Sequence, residues 1–115
     1  MKRGLRHLAL LSRDIEGTER FYTDILGLEV AFREHGMTFI ATPKGDDLLN
    51  FVETTKRFDP AAGGLDHFGL SVPAAAWQKT LARLKEHGVA IDGRRGQHAV
   101  YIHDPNGYMV ELYRD

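Results

Sequence analysis

No cysteine occurs anywhere in this chain, which removes disulfides, thiolate metal sites and a cysteine nucleophile from consideration. Charge of one sign does not gather either. The 15 Lys and Arg are interspersed among 16 Asp and Glu for a formal charge of −1, so the basic face that nucleic acid requires is missing and no nucleic-acid partner is expected. Long apolar runs are absent as well. Met1-Lys2-Arg3-Gly4 leads into a strand-like run too short and interrupted for a signal peptide or a membrane span. Neither is expected, and the cytoplasm is the default compartment. What is present is enough sequence for one compact domain that buries a core without staples.

The chain also repeats itself. Gly4-Leu5-Arg6-His7-Leu8-Ala9-Leu10 returns sixty residues later as Gly64-Leu65-Asp66-His67-Phe68-Gly69-Leu70, with four of seven positions identical. Both copies alternate as half-buried strands do, and an apolar helical pattern follows each. Period-two alternation places Leu5, His7 and Ala9 on one face and Leu8 and Leu10 on the other. In the second copy Leu65, His67 and Gly69 share a face. Each histidine thus has an unusually small neighbour two residues on, which leaves room beside the imidazole.

The elements after each copy match in order. Residues 5–11 form the first strand, with Ser12 and Asp14 as N-cap candidates for a helix carrying Ile15, Thr18, Phe21, Tyr22, Ile25 and Leu26 on one stripe. Gly27 suits the helix C-terminus. Strands over 28–34, 37–42 and 47–53 follow, the first two joined at His35-Gly36. A linker over 56–63 separates module 1–55 from module 64–115 within a single domain spanning 1–115. In the second module a helix begins near Pro73 and carries Trp77, Leu81 and Leu84. Residues 89–92 read as a short strand and Gly93-Arg94-Arg95-Gly96 as a turn or loop, in which the arginines are solvated or, less simply, attract an anionic substrate. Strands over 100–103 and 108–113 enclose the turn Asp104-Pro105-Asn106-Gly107. The fold class is α+β, with two βαβββ modules that pair within one chain or by exchange between two.

Glu111 is the only charge in the apolar run Met109-Val110-Glu111-Leu112-Tyr113, and a carboxylate there is costly to bury unless paired or metal-bound. The matching strand, Leu48-Leu49-Asn50-Phe51-Val52, puts Asn50 at the same place; Glu53 is a rival for that place but has the opposite parity. Two imidazoles and one carboxylate suit a divalent transition metal with positions left open for a ligand. A lone strand histidine is more often an ordinary hydrogen-bonded residue, so the argument rests on the matched pair with Glu111. His35, His87, His98 and His103 have ordinary explanations in turns, at a helix end or beside a strand.

His7, His67 and Val100-Tyr101-Ile102-His103-Asp104-Pro105-Asn106-Gly107-Tyr108-Met109-Val110-Glu111, on this duplicated layout, resemble the vicinal oxygen chelate superfamily of glyoxalases, extradiol dioxygenases, fosfomycin-resistance transferases and bleomycin-binding proteins. The resemblance covers essentially the whole chain. It implies a glyoxalase-like fold in which the paired modules make an open, eight-stranded, barrel-like sheet, usually in a homodimer. It also implies His7, His67 and Glu111 as ligands of a divalent transition metal (Fe, Mn, Zn or Ni), with Glu111 and Tyr101 as catalytic side chains. The expected function is a metal-dependent glyoxalase- or dioxygenase-like enzyme, a lyase or an oxidoreductase. Its substrate would be a small metabolite bound through neighbouring oxygens. The alternative is a non-catalytic, antibiotic-type small-molecule binding protein. Asn50 in place of a second carboxylate argues against ordinary glyoxalase I, and Ala9 and Ala99 depart from the fosfomycin-resistance pattern.

Overall fold

A computed structural model describes residues 4–115; Met1, Lys2 and Arg3, on which the expectation about the N-terminal run partly rests, lie outside the described residues. The fold is α+β and repeats one arrangement twice. The first module runs β1 (His7–Ser12), α1 (Ile15–Arg20), β2 (Glu29–Glu34), β3 (Met37–Ala41) and β4 (Leu48–Glu53). The second runs β5 (Phe68–Val72), α2 (Trp77–Glu86), β6 (Gly93–Arg95), β7 (Ala99–His103) and β8 (Met109–Arg114). The strands form two four-stranded sheets, β1-β4-β3-β2 and β5-β8-β7-β6. In each sheet the first strand pairs parallel with the last and the other pairs are antiparallel. The chain divides into two compact units between Arg57 and Phe58, inside the expected linker.

Local chemistry sets the ends of α1. Asp14 caps it by accepting from the Gly17 N–H at 2.9 Å, while the Ser12 hydroxyl accepts from the Asp14 N–H and pairs with the Thr18 hydroxyl. After Arg20 the helix widens into a π turn over Phe21–Ile25. The wider turn accompanies full burial of Tyr22 and near-full burial of Phe21 and Ile25, with Tyr22 against Phe51 at 5.1 Å between ring centroids. Gly27, at φ 77°, ends the element, as its place in the sequence suggests. With Leu10, Ile40, Leu49 and Phe51 these residues make the core of the first unit.

The second core contains Val100, Ile102, Val110 and Leu112, together with Trp77 and Leu84 of α2. A 3-10 turn over Ala74–Ala76 precedes α2, so the helix starts later than Pro73 suggests. Between β7 and β8 the Asp104 carboxylate accepts from the Asn106 and Tyr108 N–H groups, which closes the expected turn. Gly107 is required there twice over: its φ is 94°, and a Cβ would lie 3.2 Å from Pro60 Cγ.

One strand is not where its apolarity points. Residues 89–92 form no strand, and Gly93–Arg95, expected as a turn or loop, is β6. The turn instead falls at Gly96, at φ 58°, and β6 extends back from it in register with β7: Arg95 opposite Ala99, Arg94 opposite Val100 and Gly93 opposite Tyr101. An edge strand needs only one hydrogen-bonded neighbour, so the hairpin turn rather than the alternation of Val89 and Ile91 decides its position.

Candidate functional site

Register in the second sheet builds the site. Gly69 of β5 and Tyr101 of β7 both lie opposite Glu111 of β8, and Gly93 of β6 lies opposite Tyr101. Cross-strand partners point to the same face. Gly69, Glu111, Tyr101 and Gly93 therefore form one row on the face away from the buried Val110 and Leu112. His67, one residue before β5 rather than within it, keeps the parity of Gly69. A Cβ at Gly69 would meet only the Glu111 backbone oxygen and Cβ, at 3.8 and 3.9 Å, so nothing crowds that position.

Glu111 is 7% exposed and its carboxylate is fully engaged. Oε2 accepts from an Arg95 guanidinium NH2 group, and Oε1 lies 3.0 Å from His67 Nε2. On the far side of the imidazole, Nδ1 lies 2.6 Å from Asp66 Oδ2. The Tyr101 ring stands edge-on to the imidazole, with centroids 5.5 Å apart, and the Arg95 guanidinium carbon lies 5.7 Å from the Tyr113 ring centroid. The hydrogen bond to Asp66 raises the His67 pKa above its ordinary 6.5; burial opposes this and Glu111 adds to the rise. For Glu111, burial pushes the carboxyl up, but Arg95 and then His67 outweigh it and leave the pKa below the ordinary 4.5. Hydrogen bonds that Arg95 donates, to Glu111 first and Tyr101 second, raise its own pKa.

His67 and Glu111 fit a metal. Two donors each about 2.0–2.2 Å from one ion at right to tetrahedral angles are roughly 2.8–3.6 Å apart, and Nε2 and Oε1 are separated by 3.0 Å. A neutral imidazole that donates Nδ1–H to Asp66 would have Nε2 free to bind a metal, the arrangement in which an outer carboxylate orients a metal-bound histidine. Among the described residues no group of three His, Asp or Glu side chains is gathered as a metal cluster.

The first unit carries the matching row. Ala9 of β1 and Phe39 of β3 lie opposite Asn50 of β4, just as Gly69 and Tyr101 lie opposite Glu111. His7 precedes Ala9 by two residues, as His67 precedes Gly69. The His7 ring is exposed, with Nδ1 2.9 Å from an Arg6 guanidinium nitrogen. Asn50 is 7% exposed; its amide donates to Met37 Sδ at 3.8 Å, and its buried Oδ1 has no partner among the described residues. Glu53 stands opposite Ser12 at the exposed end of β4, on the parity away from Asn50. Of the other histidines, His35 occupies a turn at φ 47°, His87 ends α2, and His103 pairs with Asp92 at 2.5 Å.

Two residues of this network have a role at Glu111 and His67 that a reading of the sequence does not give. Arg95 lies on a strand whose position is set by the turn at Gly96, and Asp66 is simply the variable residue beside a repeated histidine. The parity of Arg95 with Gly93 and Tyr101 is the signal that would have found the first. Nothing in the linear pattern marks the second.

Comparison with known proteins bears on the family and the fold. Residues 4–112 match the family model described as Glyoxalase/Bleomycin resistance protein/Dioxygenase superfamily. The catechol-2,3-dioxygenase of Bacillus subtilis (strain 168) is 31% identical over 92% of this chain, which spans only 39% of that relative's length. The glutathione transferase FosA of Serratia marcescens is 24% identical over 98% of this chain and 82% of its own. A glyoxalase/dioxygenase structure from Nostoc punctiforme superposes with a TM-score of 0.85 at 22% identity, covering 98% of this chain and 91% of that one. The chain belongs to the glyoxalase/bleomycin resistance protein/dioxygenase superfamily.

Proposed function

We propose that the protein is a small divalent-metal-dependent enzyme acting on a small oxygen-bearing metabolite, with His67, Glu111 and His7 as the metal ligands. The observation that carries this reading is the 3.0 Å separation of His67 Nε2 and Glu111 Oε1, with Asp66 behind the imidazole. His7 enters as the third ligand because it holds in the first sheet the place that His67 holds in the second. A divalent ion there would supply a Lewis acid for two neighbouring substrate oxygens. Iron, manganese, zinc and nickel all suit imidazole and carboxylate donors.

The chain's own residues prepare the site. Asp66 orients the His67 ring, Arg95 holds Glu111 by one oxygen, and Tyr101 walls the imidazole. Gly69 and Ala9 leave space beside the two histidines. We assign Glu111 to catalysis as the carboxylate ligand of the metal, and the Tyr101 hydroxyl to proton handling at the substrate. A dioxygenase- or glyoxalase-type reaction is the class we favour, in keeping with the catechol dioxygenase and glyoxalase/dioxygenase relatives. We further propose a homodimer, since Leu11, Phe32 and Tyr113 are large apolar side chains left exposed in one chain, and the cytoplasm as its compartment.

A second reading, a metal-free small-molecule binder, is favoured by the fact that Arg95 and His67 already engage both Glu111 oxygens. Elemental analysis of protein purified without a chelating tag separates the two. The enzyme reading expects about one equivalent of transition metal; less than about a tenth, unchanged after metal is added, rejects it.

A further inference from the structure

We propose that Arg95 is a positioning residue that acts through Glu111: it takes one carboxylate oxygen and, by its fixed positive charge, holds the divalent-metal affinity of the site down. The inference rests on the metal-dependent reading, which needs only His7, His67 and Glu111, and assigns a role to a residue outside that set. Arg95 reaches Glu111 from β6, where the turn at Gly96 places it on the same edge of the sheet as Gly93. Its guanidinium takes Oε2 and leaves Oε1 turned to His67. Among the described residues it is the only arginine or lysine that hydrogen-bonds this carboxylate. The Tyr113 ring beneath the guanidinium adds a second contact that keeps the cation in place.

Two consequences follow, and they oppose one another. Holding Oε2 orients the carboxylate as a one-oxygen donor, which favours binding. A dication on Oε1 would share one carboxylate with a guanidinium, and like charges that close repel. Orientation is also secured without Arg95, because Glu111 lies within β8, is almost fully buried and meets His67 on its other oxygen. The charge has no substitute. Repulsion therefore outweighs orientation, and removing the cation tightens metal binding.

Arg95→Met and Arg95→Gln remove the charge; Arg95→Lys keeps it and loses the planar fork. The Arg95 side chain is 61% exposed, so each variant should fold, which thermal melts followed by circular dichroism check. Titration of Mn²⁺ and of Zn²⁺ into metal-free protein by calorimetry is the test. The neutral variants should bind about tenfold or more tightly than the wild type at low salt, with Arg95→Lys within about threefold of it. The gain should shrink as salt screens the half-exposed charge. Equal or weaker binding by both neutral variants, where the wild type binds, overturns the role of Arg95. If neither wild type nor variant takes up either ion, the metal-dependent reading itself fails and takes this inference with it.

Discussion

Replacing Glu111 by Gln in metal-free protein tests whether the carboxylate is held as described. Glutamine keeps the shape and removes the charge. Two hydrogen bonds to a charged acceptor are weakened, and each such bond contributes about 1.5–3 kcal/mol. Against that, the buried carboxylate no longer resists desolvation, and its partners can return to water, since the Arg95 and His67 side chains are 61% and 32% exposed. The net cost is about 1–2 kcal/mol at pH 6, below the ~3–5 kcal/mol expected for breaking a fully buried pair.

The pH dependence of that cost is the sharper test. Glu111 has a folded pKa below its ordinary 4.5, so its contribution is present above 4.5 and lost as pH falls through the folded value. His67 has a folded pKa above its ordinary 6.5, so the His67–Glu111 contribution is full below 6.5 and lost as pH rises through the folded value. The stability gap between wild type and Glu111→Gln should be widest between about pH 5 and 6.5. It should narrow in alkali to the Arg95 part alone and close in acid. Urea unfolding across a pH series in the presence of a chelator measures it. A gap independent of pH, or one that widens in acid, would refute the described ionic network.

Asp66→Asn should bring the His67 titration, followed by its ring proton in NMR of metal-free protein, back toward 6.5 more than Glu111→Gln does, because Asp66 is the larger cause of the rise; a larger effect of Glu111→Gln would contradict this. The same Asp66 variant should lower metal affinity about 10–100-fold by calorimetry, since the outer carboxylate no longer orients the imidazole. Glu19 accepts from Arg33 at 2.8 and 2.9 Å and from the Thr38 hydroxyl at 2.6 Å, so Glu19→Gln should cost about 1–2 kcal/mol in urea unfolding, and no change would show these contacts to be idle. Asn50→Leu removes a buried carbonyl without a partner among the described residues and should leave unliganded stability unchanged or improve it by up to about 1 kcal/mol; a clear loss would reveal a partner for Oδ1.

The sequence by itself determined whatever depends on short-range periodicity. The repeated Gly-Leu-X-His segment marked two equivalent modules, and strand parity alone paired Asn50 with Glu111 and turned Glu53 away, as the register of β4 and β8 shows. Asp104-Pro105-Asn106-Gly107 announced its turn because its requirements are local: an Asp that accepts from backbone N–H groups and a Gly at positive φ. Gly27 ended its helix for the same reason.

Tertiary structure decided what lies between elements. The π turn at Phe21–Ile25 accompanies the burial of three large side chains in one core, which no propensity encodes. β6 took its position from a turn and an edge pairing rather than from its own apolarity, and that shift carried Arg95 from an expected loop onto the sheet face beside Glu111. Asp66 acquired a role only once the chain had placed His67 between two carboxylates. Histidines that repeat can be read along the chain. The charges that tune them are brought together by register, a property of pairs of strands and not of any one of them.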